Sequence, residues 1–243
     1  MRVLFTLLAL GSFSFEAHAN ALFGHTHLLP SPHTLRSGRL LYGTDMAFGV
    51  TDFFQVGTNV LRDFFKIYNA NAKVSLLDFQ AFALSPTFGF ESYNLHDISD
   101  GNPDLRVTSF LPGAVTAFGV LDDVALFVGF NLNLTSTRLI TDGITRSGYV
   151  SGARVASDLS WAYNRPEDTS EATDTPKRGA RPKIARGVGH VLSGGVSYDI
   201  NYKFFGVGLS HHWPGFHLGV HYYPAATRGA LQPILAGGGA LDF

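Results

Sequence analysis

Side chains of alternating character recur through this chain with a period of two, and that repeat leaves room for β-strands and for little else. The clearest stretch is 124–137. There Val124, Leu126, Val128, Phe130, Leu132 and Leu134 share one face, while Ala125, Phe127, Gly129, Asn131, Asn133 and Thr135 share the other. Residues 106–121 form a strand leading into it through Asp122-Asp123, read as a tight turn. Residues 39–48 repeat the theme as one strand, with Leu40, Tyr42, Met46 and Phe48 opposite Arg39, Gly43 and Asp45. Gly49-Val50-Thr51-Asp52 then turns the chain. Similar phasing covers 149–163, 204–213 and 216–223. In 73–84 the phase switches near Leu76-Leu77, which predicts a β-bulge. About ten to twelve strands result, each of about 9–14 residues. The globular mode is about 5–6, whereas a tilted strand crossing a bilayer needs about 9–11.

Alternation alone also fits a soluble sandwich or a lipocalin-like barrel. The chemistry of the two faces separates these. A soluble sheet turns a charged, polar face to water, yet only 15% of this chain is charged. One face is Leu, Val and Phe, and the other is mostly Gly, Ala, Ser, Thr and Asn. That is the pattern of a strand with lipid on one side and a small-residue lumen on the other. Aromatic residues gather near the strand ends, among them Tyr42, Phe53, Phe54, Trp161, Tyr163, Trp213 and Tyr222, as interfacial girdles require. The stretch 204–227 carries no Lys, Arg, Asp or Glu, but Pro214, Pro224 and the strict period of two argue against a helix.

The first residues have their own character. Met1-Arg2 is followed by an uncharged apolar run over 3–15 and by Glu16-Ala17-His18-Ala19. Charge, apolar stretch and small-x-small ending are the order of a secretory signal peptide, here 1–19. Residues 20–35 follow as an N-terminal periplasmic segment, and 36–243 as the barrel domain. Subtracting Arg2 and Glu16 from the 18 basic and 19 acidic residues leaves 17 and 18, a mature charge of −1. That balance gives no electrostatic footprint for nucleic acid. Zero cysteines exclude a disulfide scaffold and a thiolate metal site. Residues 165–186 hold ten of the 35 mature charges together with Pro166, Pro176 and Pro182, and read as a long charged loop.

The chain ends in Leu241-Asp242-Phe243, with Leu235, Leu241 and Phe243 in one phase. A terminal phenylalanine on an alternating last strand resembles the assembly signal of Gram-negative outer-membrane β-barrel proteins. The resemblance covers the signal peptide and about 36–243, at the level of the class. It implies a closed antiparallel up-and-down transmembrane β-barrel in the outer membrane, in contact with outer-membrane lipid and folded by the barrel-assembly machinery through Phe243. Closure also follows from physics, because lipid cannot satisfy an open sheet edge. Strand parity is unbalanced by one if 49–52, 122–123 and 199–202 all lie at one end. The places to look are 137–149 and the stretch after Pro224.

Phase assigns a set of lumen-facing polar residues: Arg39, Asp45, Asn131, Asn133, Arg154, Asp158, His212, His217 and His221. Arg154 and Asp158 stand about 13 Å apart along one strand and could each pair across strands with Arg39, Asp45, Lys73 or Glu91. They read as a network that keeps a narrow interior hydrated and packed, or as a selectivity zone of both signs. Three inward imidazoles on adjacent strands could hold Zn²⁺ or Cu²⁺. The reading taken is that they hydrogen-bond within a polar lumen, so no metal, cofactor or catalytic residue is assigned. Ser210, His212 and Asp199, or Ser92 and His96, could be arranged as in a barrel enzyme acting on lipid or peptide, but no family-specific spacing marks them. The expectation is a structural outer-membrane protein or a narrow passive channel, not an enzyme. A barrel enzyme and a soluble exported β-protein binding an apolar ligand are the alternatives.

Overall fold

The computed structural model describes residues 29–79, 82–98, 104–121, 123–141, 143–163, 190–201, 203–213, 216–224 and 230–242, with 97–98 and 230–242 by backbone alone. The expected signal peptide at 1–19, the expected charged loop at 165–186 and Phe243 lie outside the described residues. The described residues are all-β, one antiparallel up-and-down sheet of thirteen strands. These are β1 (Arg39–Gly43), β2 (Asp45–Thr51), β3 (Phe54–Asn59), β4 (Tyr68–Val74), β5 (Leu77–Phe79), β6 (Phe82–Asn94), β7 (Asp104–Leu121), β8 (Val124–Thr141), β9 (Ile144–Tyr163), β10 (His190–Asp199), β11 (Phe204–Trp213), β12 (Phe216–Tyr223) and β13 (Ala230–Asp242). Two short helical turns, α1 (Val60–Phe64) and α2 (Leu95–Ile98), sit in connections. The Asn59 side chain caps α1 by accepting from the Arg62 N–H.

Consecutive strands are neighbours, except β4 and β5. The hydrogen-bonded order runs β4-β3-β2-β1-β13-β12-β11-β10-β9-β8-β7-β6-β5, and β4 also pairs with β6. The first and last long-range partners are β1 and β13, with Arg39 opposite Asp242 and Gly43 opposite Gly238. Lys73 faces Thr87 in the β4–β6 ladder, and Leu77 faces Leu84 in β5–β6. The register slips by one residue between those pairs, so β4 and β5 are one run interrupted at Ser75-Leu76. The phase switch foreseen near Leu76-Leu77 is this bulge. Counted so, the chain makes twelve antiparallel passes.

Three details correct the sequence reading. Residues 39–48 are not one strand: the chain reverses after Gly43, and Leu41 in β1 faces Ala47 in β2. That reversal adds a strand before the 49–52 turn, while 137–149 holds only the single β8–β9 reversal. The turn after Asp199 lies at the opposite end of the sheet from the β2–β3 and β7–β8 turns, because β8, β9 and β10 separate them antiparallel. Finally, β7, β8 and β9 run to 18, 18 and 20 residues, longer than expected, since β8 and β9 continue to a turn with Gly143 at φ +76°.

The burial pattern along the strands is inverted relative to a soluble protein. In β8, Ala125 and Phe127 are buried while Phe130, Leu132 and Leu134 are exposed. In β9, Ala156, Asp158, Ser160 and Ala162 are buried while Val155, Leu159 and Trp161 are exposed. In β11, Ser210 and His212 are buried and Phe205, Val207 and Leu209 are exposed. One face is therefore mostly small and polar, buried over much of its length but exposed at Asn131, Asn133 and Arg154. The other is large, apolar and uncovered by any part of the described chain.

Candidate functional site: the buried face and the segment across it

A wall of alanine, serine and glycine does not fill the space it borders. Part of that space is taken by the chain itself, over residues 29–35. Leu29 lies in one cluster with Ala83, Val115, Ala117, Ala125, Phe127 and Ala156, contributed by β6, β7, β8 and β9. Leu35 lies in a second cluster with Leu41 and Ala47 of β1 and β2. Ser31 and Pro32 are almost wholly buried. The stretch expected as a periplasmic tail thus lies, at its C-terminal end, against the buried face. It crosses from β1–β3 to β8–β9.

Side chains from four strands hold its backbone. The Leu35 N–H donates to Gln55 Oε1 of β3 at 2.9 Å. The Lys73 ammonium of β4 donates to the carbonyls of Ser31 at 2.6 Å and His33 at 2.5 Å. The Ser85 hydroxyl of β6 donates to the Pro32 carbonyl. Asp158 Oδ2 of β9 accepts the Leu29 N–H at 3.0 Å. Lys73 and Asp158 are 5% and 0% exposed. Charges so placed are costly unless they are hydrogen-bonded, and the polar backbone of this segment supplies those bonds. His33 adds a contact to Asp78 at 3.2 Å.

Beside the segment lies a cavity of about 370 Å³. Leu29 and Pro30 form part of its wall, with Asp45, Asn71, Asn131 and Arg154 among the polar groups around it. Asp45 accepts from Asn59 Nδ2 at 2.6 Å. Asn133, two residues beyond Asn131, accepts from Thr135 Oγ1 at 2.5 Å. Asn131 and Arg154 face each other directly in the β8–β9 ladder. Arg39 is half-buried at the start of β1. Glu91, expected as a partner for Arg154 or Asp158, instead bonds Arg62 of α1.

The three inward histidines are buried together on β11 and β12, at 2% exposure or less. His212 and His217 face each other in register and stack, with ring centroids 3.8 Å apart and planes at 20°. His221 Nε2 lies 3.1 Å from Ser197 Oγ, and its ring packs edge-on against Tyr223. No group of three His, Cys, Asp or Glu with metal-holding geometry occurs among the described residues. Ser210 and His212 share the inner face of β11, while Asp199 stands at the far end of β10 with its carboxylate on the Asn201 N–H. Ser92 Oγ contacts Thr108 Oγ1 at 3.3 Å.

On the opposite, outer face, the β9–β12 strands carry an aromatic band at one end. Tyr163 packs at a tilt against Trp161 and His190, and its hydroxyl meets His211 Nε2 at 2.5 Å. His211 packs on Trp213, which contacts Phe216. The tyrosine and tryptophan positions follow from strand-end enrichment; the role of His190 and His211 as ring partners was not foreseen. No family model matches the chain, and neither the curated proteins nor the solved structures give a match.

Proposed function

We propose that the protein is a closed β-barrel of the bacterial outer membrane, structural or a narrow passive channel. In this reading it is exported by residues 1–19, folded by the barrel-assembly machinery through its C-terminal strand, and surrounded by outer-membrane lipid. The observation that carries the reading is the inverted burial: Phe130, Leu132, Leu134, Val155 and Leu159 face outward uncovered while Ser, Ala, His and Asp are packed inside. In water such an apolar surface would aggregate, whereas in hydrocarbon it is at its lowest free energy. The paired ends support closure, since β1–β13 and β4–β6 give each of the twelve passes two neighbours.

Dimensions agree with this reading. The outward row from Val124 to Leu134 spans ten residue steps. At about 3.3 Å per residue and a tilt of about 35–45°, it covers about 25 Å of membrane depth, the height of an outer-membrane apolar band. Trp161 faces Val124 at one boundary of that band, within the aromatic cluster, and Arg138 lies just beyond the other boundary. Small residues and residues 29–35 occupy much of the interior, so large solutes are excluded.

Membrane fractionation with gel mobility before and after boiling tests the proposal. The expected result is recovery in the outer-membrane fraction and a folded band that shifts only on heating in SDS. Recovery in the periplasmic fraction without detergent, with no heat-dependent shift, would overturn it.

A further inference from the structure

We propose that residues 29–35 are a removable stopper, and that the protein is a gated pore held shut by its own N-terminal segment. This rests on the barrel reading above and adds to it a state the resting chain does not occupy. The wall around the stopper is mostly small side chains, Ala83, Ser85, Ala117, Ala125 and Ala156, and Val115 and Phe127 among them do not close a twelve-pass bore. An eight-strand barrel is filled by its own side chains, while wider ones enclose space that something else must occupy. Here the occupant is a strand-length of backbone crossing from β3 to β9.

The way it is held suits release. Residues 29–35 belong to none of the thirteen strands and carry a single isolated β-bridge, at Pro30. Their backbone is gripped by individual side chains, namely Gln55, Lys73, Ser85 and Asp158. Two of those four are charged and almost wholly buried. Withdrawal breaks their bonds to the segment and exposes Leu29 and Leu35, and a few side-chain bonds and the bridge at Pro30 are all that must be given up besides that apolar contact. It also removes Leu29 and Pro30 from the wall of the cavity that Asp45, Asn131 and Arg154 border. That cavity would then continue into the space the segment leaves, giving a path with both signs of charge along its wall.

The test compares the full-length protein with a Lys73→Met/Asp158→Asn variant in planar bilayers at fixed voltage and salt. Both also carry Ser31→Cys, the sole cysteine of the chain, for labelling with a membrane-impermeant maleimide. Heat-modifiable mobility establishes that each barrel is folded. The expected result is roughly a tenfold or greater rise in open-channel events for the variant, matched by faster labelling, since the two Lys73 bonds are lost and the Asp158 bond loses its charge. A folded variant with unchanged conductance overturns the stopper and leaves the barrel reading standing. If the double variant does not fold, Gln55→Ala/Ser85→Ala is read in the same way. Loss of heat-modifiability in the parent protein sinks the barrel reading instead.

Discussion

At the scale of single residues, Gly129 packs closely against the segment beside it. A Cβ built on Gly129 would stand 2.7 Å from Leu29 Cδ2 and 3.0 Å from the Ala114 carbonyl. Gly129→Val is therefore expected to push Leu29 out of its cluster and lower stability by about 1–3 kcal/mol, the usual range for overpacking. The urea midpoint of the detergent-folded protein reads this directly, and an unchanged midpoint contradicts the packing described. Phe127, the large apolar side chain of the same cluster, is 0% exposed. Phe127→Ala should cost about 3–5 kcal/mol in the same assay, because a cavity is left among alanines that cannot collapse into it. These contacts leave no trace in the sequence pattern. Leu29 and Asp158 are 129 residues apart. A stretch reading Leu-Leu-Pro-Ser-Pro-His-Thr-Leu has no period of its own, so its place is decided by the side chains of distant strands.

At the scale of elements, the inside-outside phase was legible strand by strand, and the turns were legible only where they disturb it. In the β1–β2 hairpin Leu41 opposes Ala47, six residues on, so both point inward with the same parity. The alternation runs through that reversal unbroken, which hides it. In β8–β9, Ile140 opposes Thr145, an odd interval, so the inward parity changes across the turn. Gly143 at that turn adopts φ +76°, where an L side chain is strained. Gly143→Val should cost about 1–2 kcal/mol of stability without changing the register elsewhere, as followed by urea unfolding. The outer row of β8 carries a stronger prediction. Phe130→Arg, near the middle of the proposed apolar band, should destabilise by about 2–4 kcal/mol in bilayers, and Ile140→Arg, beyond it, by about 0–1 kcal/mol. Equal costs at the two depths would argue against a bilayer around this strand.

For the whole molecule, the inverted distribution of side chains links sequence to proposed function. Low charge, small inward residues and large outward ones were all visible in the chain as written. The filling of the interior was not, because composition counts a residue once wherever it packs. A sheet lined by alanine and serine needs an occupant, and residues 29–35 provide one. The central claim is that the even-numbered face of β8 meets hydrocarbon. Because the chain has no cysteine, single cysteines can be placed at each position from 124 to 134 and spin-labelled in bilayers. Accessibility to oxygen against a water-soluble nickel complex then reads the surroundings of each label. The account predicts a period of two, with oxygen favoured at 124, 126, 128, 130, 132 and 134 and suppressed at the positions between. Even-numbered labels that are shielded from both reagents, or open to nickel, would contradict it.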